Sequence, residues 1–355
     1  MRLFMHDFPT DRHVARHGHD SPLPTGAAQL LVSLVTTSVR QQREDGVDRW
    51  SGASCPEAEC GGRSLPGADA QLTAIAALVR AGDVARAITD LQDLLETARH
   101  DRAAWRSVRS ALREHALFKL LREDPIVAQA NAHPHGAAGS GELLDLIYDR
   151  RPGGAVSPLG QALLAITSRL TGLAAMRDRL SDGARLLTNA WQAGRTVCVL
   201  GCGHLREADM LIGSDLSTIT AVDIDGRAID AVRRHHGHAI EAVEANALRF
   251  LQDAIVAGRQ FDLIYALGLS DALSDVALTS LCRLARACLT CDGRLVIANY
   301  VPDHASVAWM DAILDWQPIG RSTDDLSRIA VDCGYRSRCW TGGAGNIAWA
   351  EMLPT

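Results

Sequence analysis

The stretch Thr196–Asp225, TVCVLGCGHLREADMLIGSDLSTITAVDID, decides the fold of this 355-residue chain. Its first part, Thr196–Leu200, is β-branched and apolar, as expected of a strand buried on both faces of a parallel sheet. The strand runs directly into Gly201–Gly203, a turn in which residues without a Cβ let the backbone approach a ligand. A helix is predicted at about Leu205–Ile212, with free N–H groups and the positive end of its dipole at the turn. A second strand at about Thr218–Val222 completes the unit.

Acidic residues follow this second strand. Asp223 and Asp225 lie about 20 positions beyond the glycines, where this architecture hydrogen-bonds ribose hydroxyls, and Asp223 is the better placed of the two. The third glycine of the dinucleotide fingerprint is absent, since the sequence continues G-C-G-H-L-R. Its absence disfavours a pyrophosphate and favours a cofactor with ribose and adenine but no diphosphate, such as S-adenosylmethionine (SAM). An ordinary strand-to-helix turn with a satisfied aspartate is the simpler alternative.

Composition and charge are those of a globular protein. Hydrophobic residues make up 47% of the chain, and a net charge of −6 with scattered basic residues gives no electrostatic footprint for nucleic acid or an anionic membrane. The first residues lack the apolar core of a signal peptide, and the apolar run at 27–39 is too short to span a bilayer, so we expect a cytoplasmic protein. Nine cysteines, an odd number, fit reduced thiols.

Two pairs of metal-ligating residues close in sequence, one of cysteines and one of histidines, do not predict a metal site. Cys288 and Cys291 form a C-x-x-C pair with no second pair at zinc-finger spacing. His133 and His135 flank a proline in a glycine-rich loop, with no carboxylate at ligand spacing. Incidental thiols and solvated loop histidines are the simpler interpretation.

Three regions are predicted along the chain. Residues 1–69 are polar or rich in Gly, Ser and charge, which is typical of a tail and linker, with one helix at 27–43. Residues 70–190 carry apolar side chains three and four apart, which predicts a helical domain. A loop rich in Gly and Pro at 133–141 interrupts these helices, and such loops often carry binding residues. Residues 191–355 form the third region.

Strands and helices alternate through residues 191–355. Beyond the first two strands, the pattern predicts these elements: helix Asp225–His235, strand Ala239–Glu244, helix Ala247–Ala257, strand Phe261–Leu267, helix Leu278–Leu289, a turn at Asp292-Gly293, strand Arg294–Asn299, and a closing hairpin of Arg336–Trp340 with Asn346–Met352. The alternation predicts an α/β fold with a parallel, doubly wound sheet. Because ligands bind beyond the carboxyl ends of such strands, one crevice is expected to gather these residues: Gly201–Gly203, Asp223, Asn246 and Tyr265–Asp271.

Several short motifs, in a fixed order, resemble a known family. They are DP at Asp124-Pro125, HPHGAAG followed by LLDLIY ending at Tyr148, SPLG at Ser157–Gly160, AAMRDR around Arg177, GCGHLRE at Gly201–Glu207, FDLIYALGLSDALSD, and WQPIGRSTDDLSRIA at Trp316–Ala330. With the terminal hairpin, these motifs look like a class I SAM-dependent methyltransferase. More narrowly, they resemble bacterial enzymes for biosynthesis of 3-hydroxypalmitic acid methyl ester and their azetidine-2-carboxylate-forming relatives. The resemblance covers residues 124–330 and implies a Rossmann-like methyltransferase sheet preceded by a helical N-terminal lid domain.

Two loops depart from the family pattern. Where the family has G-Y-A-G-D, this chain has GAAGS at Gly136–Ser140, and where the family has G-L-F-D-Y-L, this chain has GLSDAL at Gly268–Leu273. Aromatic and acidic residues are thereby replaced by small ones in the loops expected to face the substrate. The substrate is therefore less constrained by the sequence than the fold and the cofactor.

Most residues of the expected cofactor site have a predicted role in binding SAM. Gly201 and Gly203 should admit the methionine part of SAM, Asp223 should bind both ribose hydroxyls, and Asn246 with Ala247 should edge the adenine. Arg177 should pair with the cofactor carboxylate, although a structural ion pair is equally compatible. The same site is expected to include Cys202, Glu207 and Ile224.

The expected catalytic residues are Tyr265, Asp271, Ser270 and Tyr148. Tyr265 should line the sulfonium pocket, where a ring face favours a cation, and Tyr148 should close the lid unless it is simply a core aromatic. Methyl transfer to a carboxylate needs alignment in a dry site and no strong base.

The resulting hypothesis is a SAM-dependent methyltransferase for a small or acyl carboxylic or hydroxy acid in secondary-metabolite or signal biosynthesis. One alternative is a SAM-consuming cyclase that forms azetidine-2-carboxylate and methylthioadenosine, with Asp271 or Tyr265 accepting the proton of the amine. A nicotinamide-dependent oxidoreductase and a SAM-binding subunit without turnover are further alternatives. The expected partner is a small-molecule substrate, and self-association into a homodimer is compatible with the sequence.

Overall fold

The computed structural model describes residues 67–132, 139–149 and 151–355. The helix predicted at 27–43 and the histidines His133 and His135 lie outside these ranges.

Eight α-helices precede the sheet within the described residues. They are α1 Ala68–Ala81, α2 Val84–Arg99, α3 Arg102–Glu114, α4 Ala116–Leu121, α5 Pro125–Ala132, α6 Gly141–Asp149, α7 Pro158–Thr167 and α8 Thr171–Gln192. Local signals set several of their ends. Asp101 caps α3 by accepting hydrogen bonds from the backbone N–H groups of Ala103 and Ala104, both at 2.8 Å. The helical periodicity of this region is thus reproduced, while its separation as an independent domain stays a prediction.

A seven-stranded sheet with the order β3-β2-β1-β4-β5-β7-β6 forms the centre of the remaining chain. Its strands are β1 Val197–Leu200, β2 Ile219–Asp223, β3 Glu241–Glu244, β4 Phe261–Ala266, β5 Leu289–Tyr300, β6 Tyr335–Gly342 and β7 Ile347–Pro354. The first five strands are parallel, and β7 lies antiparallel between β5 and β6. The predicted α/β fold, a Rossmann-like sheet with a terminal antiparallel hairpin, is confirmed.

Five α-helices accompany these strands. They are α9 Gly226–His236, α10 Ala247–Val256, α11 Asp275–Ala287, α12 Val307–Ala312 and α13 Thr323–Asp332. The helix predicted at Leu278–Leu289 therefore begins three residues earlier, because Ser274 caps it by accepting a hydrogen bond from the backbone N–H of Ala277.

Strand β5 corrects one prediction. Asp292 and Gly293 do not form a turn but lie inside β5, where the pairing with β4 shifts register between Phe261 and Leu263. A Cβ on Gly293 would lie 2.8 Å from the carbonyl oxygen of Phe261, so the glycine permits the close approach of the two strands. A glycine that the sequence pattern assigns to a turn thus marks an irregularity within the sheet.

The apolar core runs continuously from the helices into the sheet. At the start of α8, the backbone N–H of Gly172 donates to the hydroxyl oxygen of Ser306 at 2.8 Å, and the Tyr300 hydroxyl donates to the Gly172 carbonyl at 2.8 Å. A Cβ on Gly172 would lie 2.7 Å from that of Ser306, so α8 packs against this part of the chain at backbone distance. The helical region thus positions residues directly over the sheet.

Within the described ranges, no single helix is long and apolar enough to cross a membrane. Helices α7 and α8, bent by 69° relative to each other, have the length and composition of a membrane span only when they are taken together.

Candidate functional site

The glycine turn after β1 has the left-handed backbone that its sequence predicts. Gly201 has φ 67° and Gly203 has φ 51°, conformations that side chains with a Cβ rarely adopt. A Cβ on Gly201 would lie 2.9 Å from that of Leu269, whereas a Cβ on Gly203 would have no heavy atom within 4 Å. Gly201 is exposed and the intervening Cys202 is buried. The turn therefore presents open backbone to a ligand on its Gly203 side.

Asp223, at the carboxyl end of β2, holds this turn in place. Its Oδ2 accepts a hydrogen bond from the Gly203 N–H at 2.8 Å, and its Oδ1 accepts one from the Asp225 N–H at 3.0 Å. Each carboxylate oxygen has a second lone pair, so both keep capacity for a vicinal diol. The carboxylate is thus fixed beside the turn, where the predicted ribose contact requires it.

An exposed apolar side chain follows Asp223 directly. Ile224 is 70% exposed although it is a large hydrophobic residue. Asn246 stands at the end of the neighbouring strand β3, where its Oδ1 caps α10 by accepting from the N–H groups of Leu248 and Arg249. The Ala245 N–H donates to the Asp223 carbonyl at 2.8 Å, which joins the two strand ends. The structure therefore places Asp223, Ile224 and Asn246 at one edge of the sheet.

The segment after the glycine turn differs from its prediction. Instead of an α-helix at Leu205–Ile212, a six-residue 3₁₀ helix spans Arg206–Leu211. Leu205 precedes it in the left-handed conformation, with φ 52°, and is fully buried. Burial of this leucine thus overrides the local helical pattern. Consequently, the α-helix N-terminus expected to face the turn is not formed by this segment.

A charged cluster that the sequence pattern did not single out links this segment to helix α6. The guanidinium of Arg206 donates to both oxygens of Asp145, at 2.7 and 2.6 Å. The Nδ1 of His204 lies 2.9 Å from Oδ2 of the same carboxylate. Burial raises the pKa of Asp145, but the hydrogen bonds from Arg206 and His204 outweigh it and hold this pKa at about 2. A Cβ on Gly141 would lie 2.5 Å from the His204 ring, so α6 begins directly against the turn segment.

Glu207 is partly buried beneath α8. A Cβ on Gly183 would lie 3.0 Å from Glu207 Cγ and 2.6 Å from Leu267 Cδ1. The backbone of α8 therefore packs directly against the Glu207 side chain. Burial raises the pKa of Glu207 to about 7. The residue therefore lies where both protonation states are accessible near neutral pH.

Two tyrosines neighbour Glu207. Burial raises the pKa of Tyr265 well above its usual value, and the charge of Glu207 adds to the effect. The same two causes raise the pKa of Tyr148. Tyr265 is 1% exposed, and its hydroxyl has no hydrogen-bond partner among the described residues. An unpartnered buried hydroxyl is uncommon in folded proteins, and a bound water or a polar ligand would satisfy it.

The side chains of Ser270 and Asp271 make contacts inside the protein, and their catalytic roles stay predictions. The Ser270 hydroxyl donates to the Ala298 carbonyl at 2.6 Å and is fully buried. Asp271 is 4% exposed, pairs with Arg179 at 2.7 Å and accepts from the Tyr300 N–H at 2.8 Å. These bonds turn both side chains toward the interior of the protein. Asp271 is therefore held in a buried ion pair with Arg179.

Arg177 also makes backbone contacts within the helical region. Its guanidinium donates to the carbonyl of Ile147 at 3.2 Å and to that of Ser168 at 2.7 Å. These bonds join the end of α6 to the end of α7. These contacts hold Arg177 within the helical region, and its pairing with a cofactor carboxylate stays a prediction.

Comparisons with known proteins agree with the fold. No family model and no curated protein matches the sequence. A possible exported protein from Bordetella parapertussis has a similar structure, with 17% identity over 81% of this chain and 97% of that chain and a TM-score of 0.53. Magnesium protoporphyrin IX methyltransferase from Synechocystis PCC 6803, solved with bound SAH, has 13% identity over 59% of this chain and 92% of that chain and a TM-score of 0.41. A TehB-like SAM-dependent methyltransferase from Corynebacterium glutamicum has 19% identity over 49% and 88%, with a TM-score of 0.36. At 17% identity, the likeness to the Bordetella parapertussis protein concerns the fold.

Proposed function

We propose that this protein is a SAM-dependent methyltransferase. The observation that carries the proposal is the arrangement at the carboxyl ends of β1 and β2. There Asp223 accepts the Gly203 N–H at 2.8 Å, and Ile224, 70% exposed, stands beside it. A carboxylate suits a ribose diol, and an exposed branched apolar side chain suits the face of an adenine.

The segment after the glycine turn supports SAM over a nicotinamide dinucleotide. Dinucleotide folds place the pyrophosphate at the N-terminus of an α-helix that follows the glycine turn. Here Arg206–Leu211 is a 3₁₀ helix preceded by a left-handed Leu205. The antiparallel strand β7 within the sheet is a second difference from the parallel dinucleotide-binding sheet.

The buried side chains near the turn fit the sulfonium end of SAM. Bound SAM supplies an activated methyl group on a positively charged sulfur. The ring of Tyr265 and the carboxyl group of Glu207 are both suited to a neighbouring cation. The Asp145 pair with Arg206 holds α6 against the turn segment, and such a cover excludes water from the reacting groups. The remaining requirement is alignment of the acceptor oxygen with the methyl carbon and sulfur.

We infer a small or acyl carboxylic or hydroxy acid as the methyl acceptor. The support is the motif resemblance of residues 124–330 together with the small residues of the two divergent loops. The acceptor is thus inferred from sequence, while the cofactor proposal also has support from the strand ends.

Calorimetry and product analysis test the proposal. We expect the full chain to bind SAM and SAH with micromolar affinity and to show no heat with NAD at the same concentrations. SAH should form only when a hydroxy acid or fatty acid is added. Binding of NAD but not SAM would overturn the methyltransferase proposal, and release of methylthioadenosine from SAM alone, faster than without enzyme, would favour the cyclase.

A further inference from the structure

Three metal-ligating side chains meet on the outer side of the turn segment. Asp209 belongs to the 3₁₀ helix Arg206–Leu211, and His235 and His236 are the last two residues of α9. One ligand atom from each lies within 4.8 Å of the other two. His235 Nε2 is 3.1 Å from Asp209 Oδ1. Two imidazoles and one carboxylate therefore share one small volume.

His236 has an unusual environment within this cluster. Its side chain is about nine-tenths buried, at 9% relative exposure. One ring nitrogen lies against the backbone of Leu205, and the other has no hydrogen-bond partner in the part of the chain that the structure describes. Buried polar groups are nearly always hydrogen-bonded, because an unmet donor or acceptor costs free energy. A buried imidazole with a free ring nitrogen, beside an aspartate and a second histidine, points to a ligand that the chain alone does not supply.

We propose that Asp209, His235 and His236 bind a divalent transition-metal ion of the zinc class. Imidazole nitrogen with one carboxylate suits Zn²⁺, Ni²⁺ and Co²⁺, whereas Mg²⁺ and Ca²⁺ prefer oxygen ligands throughout. Ligand atoms around tetrahedral zinc are separated by roughly 3.3 Å, which follows from metal–ligand distances of about 2.0–2.1 Å. The Asp209–His235 separation of 3.1 Å already meets this condition. The third ligand atom lies within 4.8 Å of these two, so ion binding requires it to move closer by up to about 1.5 Å.

Arg206 orients the carboxylate of this site. Its Nη1 lies 3.6 Å from Asp209 Oδ2, so Oδ1 is turned toward His235. The same guanidinium holds Asp145 on α6. Partners of this kind fix metal ligands in a productive orientation. A bound ion therefore crosslinks the end of α9 to the turn segment. Because Arg206 contacts both Asp209 and Asp145, this crosslink is also connected to helix α6.

Three protein ligands leave at least one coordination position for water or a further ligand. The ion is thus expected to be exchangeable and removable by a chelator. Its main effect is to stabilise the segment that follows the glycine turn, because it crosslinks elements that are 26 residues apart in sequence.

Titration of the chelator-treated full chain with ZnCl₂ tests the proposal. We expect one equivalent of Zn²⁺ to bind with micromolar or tighter affinity, and CoCl₂ to give the visible absorption of nitrogen- and oxygen-bound Co²⁺. His236→Ala and Asp209→Asn should each weaken Zn²⁺ binding at least tenfold. His238→Ala is the matched control, because this exposed histidine lies two residues away, outside the cluster. The control is needed since the chain has 13 histidines.

Circular dichroism and thermal melts show whether each variant is folded. If His236→Ala does not fold, the Co²⁺ spectrum and Zn²⁺ affinity of Asp209→Asn decide the question. Zn²⁺ affinity in the folded His236→Ala or Asp209→Asn variant equal to that of His238→Ala overturns the proposal. Absence of stoichiometric Zn²⁺ binding by the folded wild-type chain overturns it as well.

Discussion

Asp145 and Arg206 form a bidentate ion pair, with nitrogen–oxygen distances of 2.7 and 2.6 Å, although they are 61 residues apart in sequence. The pair joins helix α6 to the segment that follows the glycine turn. His204, from the same segment, lies 2.9 Å from one of the carboxylate oxygens. The helical region is therefore anchored beside the candidate cofactor site by a planar, geometrically specific contact.

Removal of this carboxylate charge should loosen the anchor. We expect Asp145→Asn to lower the free energy of unfolding by about 2 kcal/mol, because charge-assisted bonds to partly buried groups are worth more than surface pairs. Urea denaturation measures the change. Asp149→Asn is a control on the same helix, since Asp149 is exposed and acts on Arg206 through its charge without a hydrogen bond, so it should change stability little. Equal effects of the two variants would show that the pair is an ordinary surface contact.

The same carboxylate predicts an acid dependence of stability. Its pKa in the folded protein is about 2, below the value of about 3.9 in an unfolded chain. The stabilisation is therefore fully present above pH 4 and is lost as the pH falls from about 4 to 2. We expect the difference in unfolding free energy between wild type and Asp145→Asn to shrink across this window. A difference that stays constant from pH 6 to pH 2.5 would contradict the shifted pKa.

Loss of the Asp223 carboxylate should weaken SAM binding. This side chain accepts two backbone N–H groups and is the proposed partner of the ribose. We expect Asp223→Ala to cost about 2 kcal/mol or more of binding free energy, about 30-fold in Kd, by calorimetry. Asp225→Ala is the control, because Asp225 caps α9 through the Arg227 N–H and should affect helix stability instead. Unchanged SAM affinity in Asp223→Ala would refute the ribose assignment.

Ile224 allows a test that spares the fold. Because 70% of this residue is exposed, Ile224→Ala should leave the melting temperature nearly unchanged. Loss of apolar contact with the adenine should weaken SAM binding by about 1 kcal/mol, roughly fivefold. Val256→Ala, at a site that is 77% exposed on α10, serves as the control. Equal SAM affinities in the two variants would place the adenine elsewhere.

The buried pair of Arg179 and Asp271 should dominate the stability of the contact between α8 and the sheet. Both side chains are at most 5% exposed. Arg179→Ala leaves a buried carboxylate without its partner, so we expect a loss of about 3–5 kcal/mol in urea denaturation. Arg185→Ala, on the same helix with a largely exposed side chain, should cost less than about 0.5 kcal/mol. A small effect of Arg179→Ala would mean that Asp271 is protonated and neutral in the folded protein.

The predictions that came directly from sequence rest on local physics. Gly201 and Gly203 adopt left-handed backbone that few other residues tolerate, and the apolar strand Val197–Leu200 must be covered on both faces. Asp223 is the last residue of the second strand, so its place at the carboxyl end of the sheet follows from the position of that strand. These features depend on neighbours a few residues away, so the α/β fold, the antiparallel hairpin and the location of the turn could all be predicted.

Only the tertiary structure decided what the side chains near the turn do. Leu205 is fully buried in a left-handed conformation, and a 3₁₀ helix follows it in place of the predicted α-helix. Asp271 forms a buried ion pair with Arg179, which lies 92 residues away in sequence. Asp145 pairs with Arg206 across 61 residues, and Asp209 contacts His235 across 26 residues. No periodicity in sequence records such pairs, because they form only when elements distant along the chain are packed together and each buried charge must find a counter-charge.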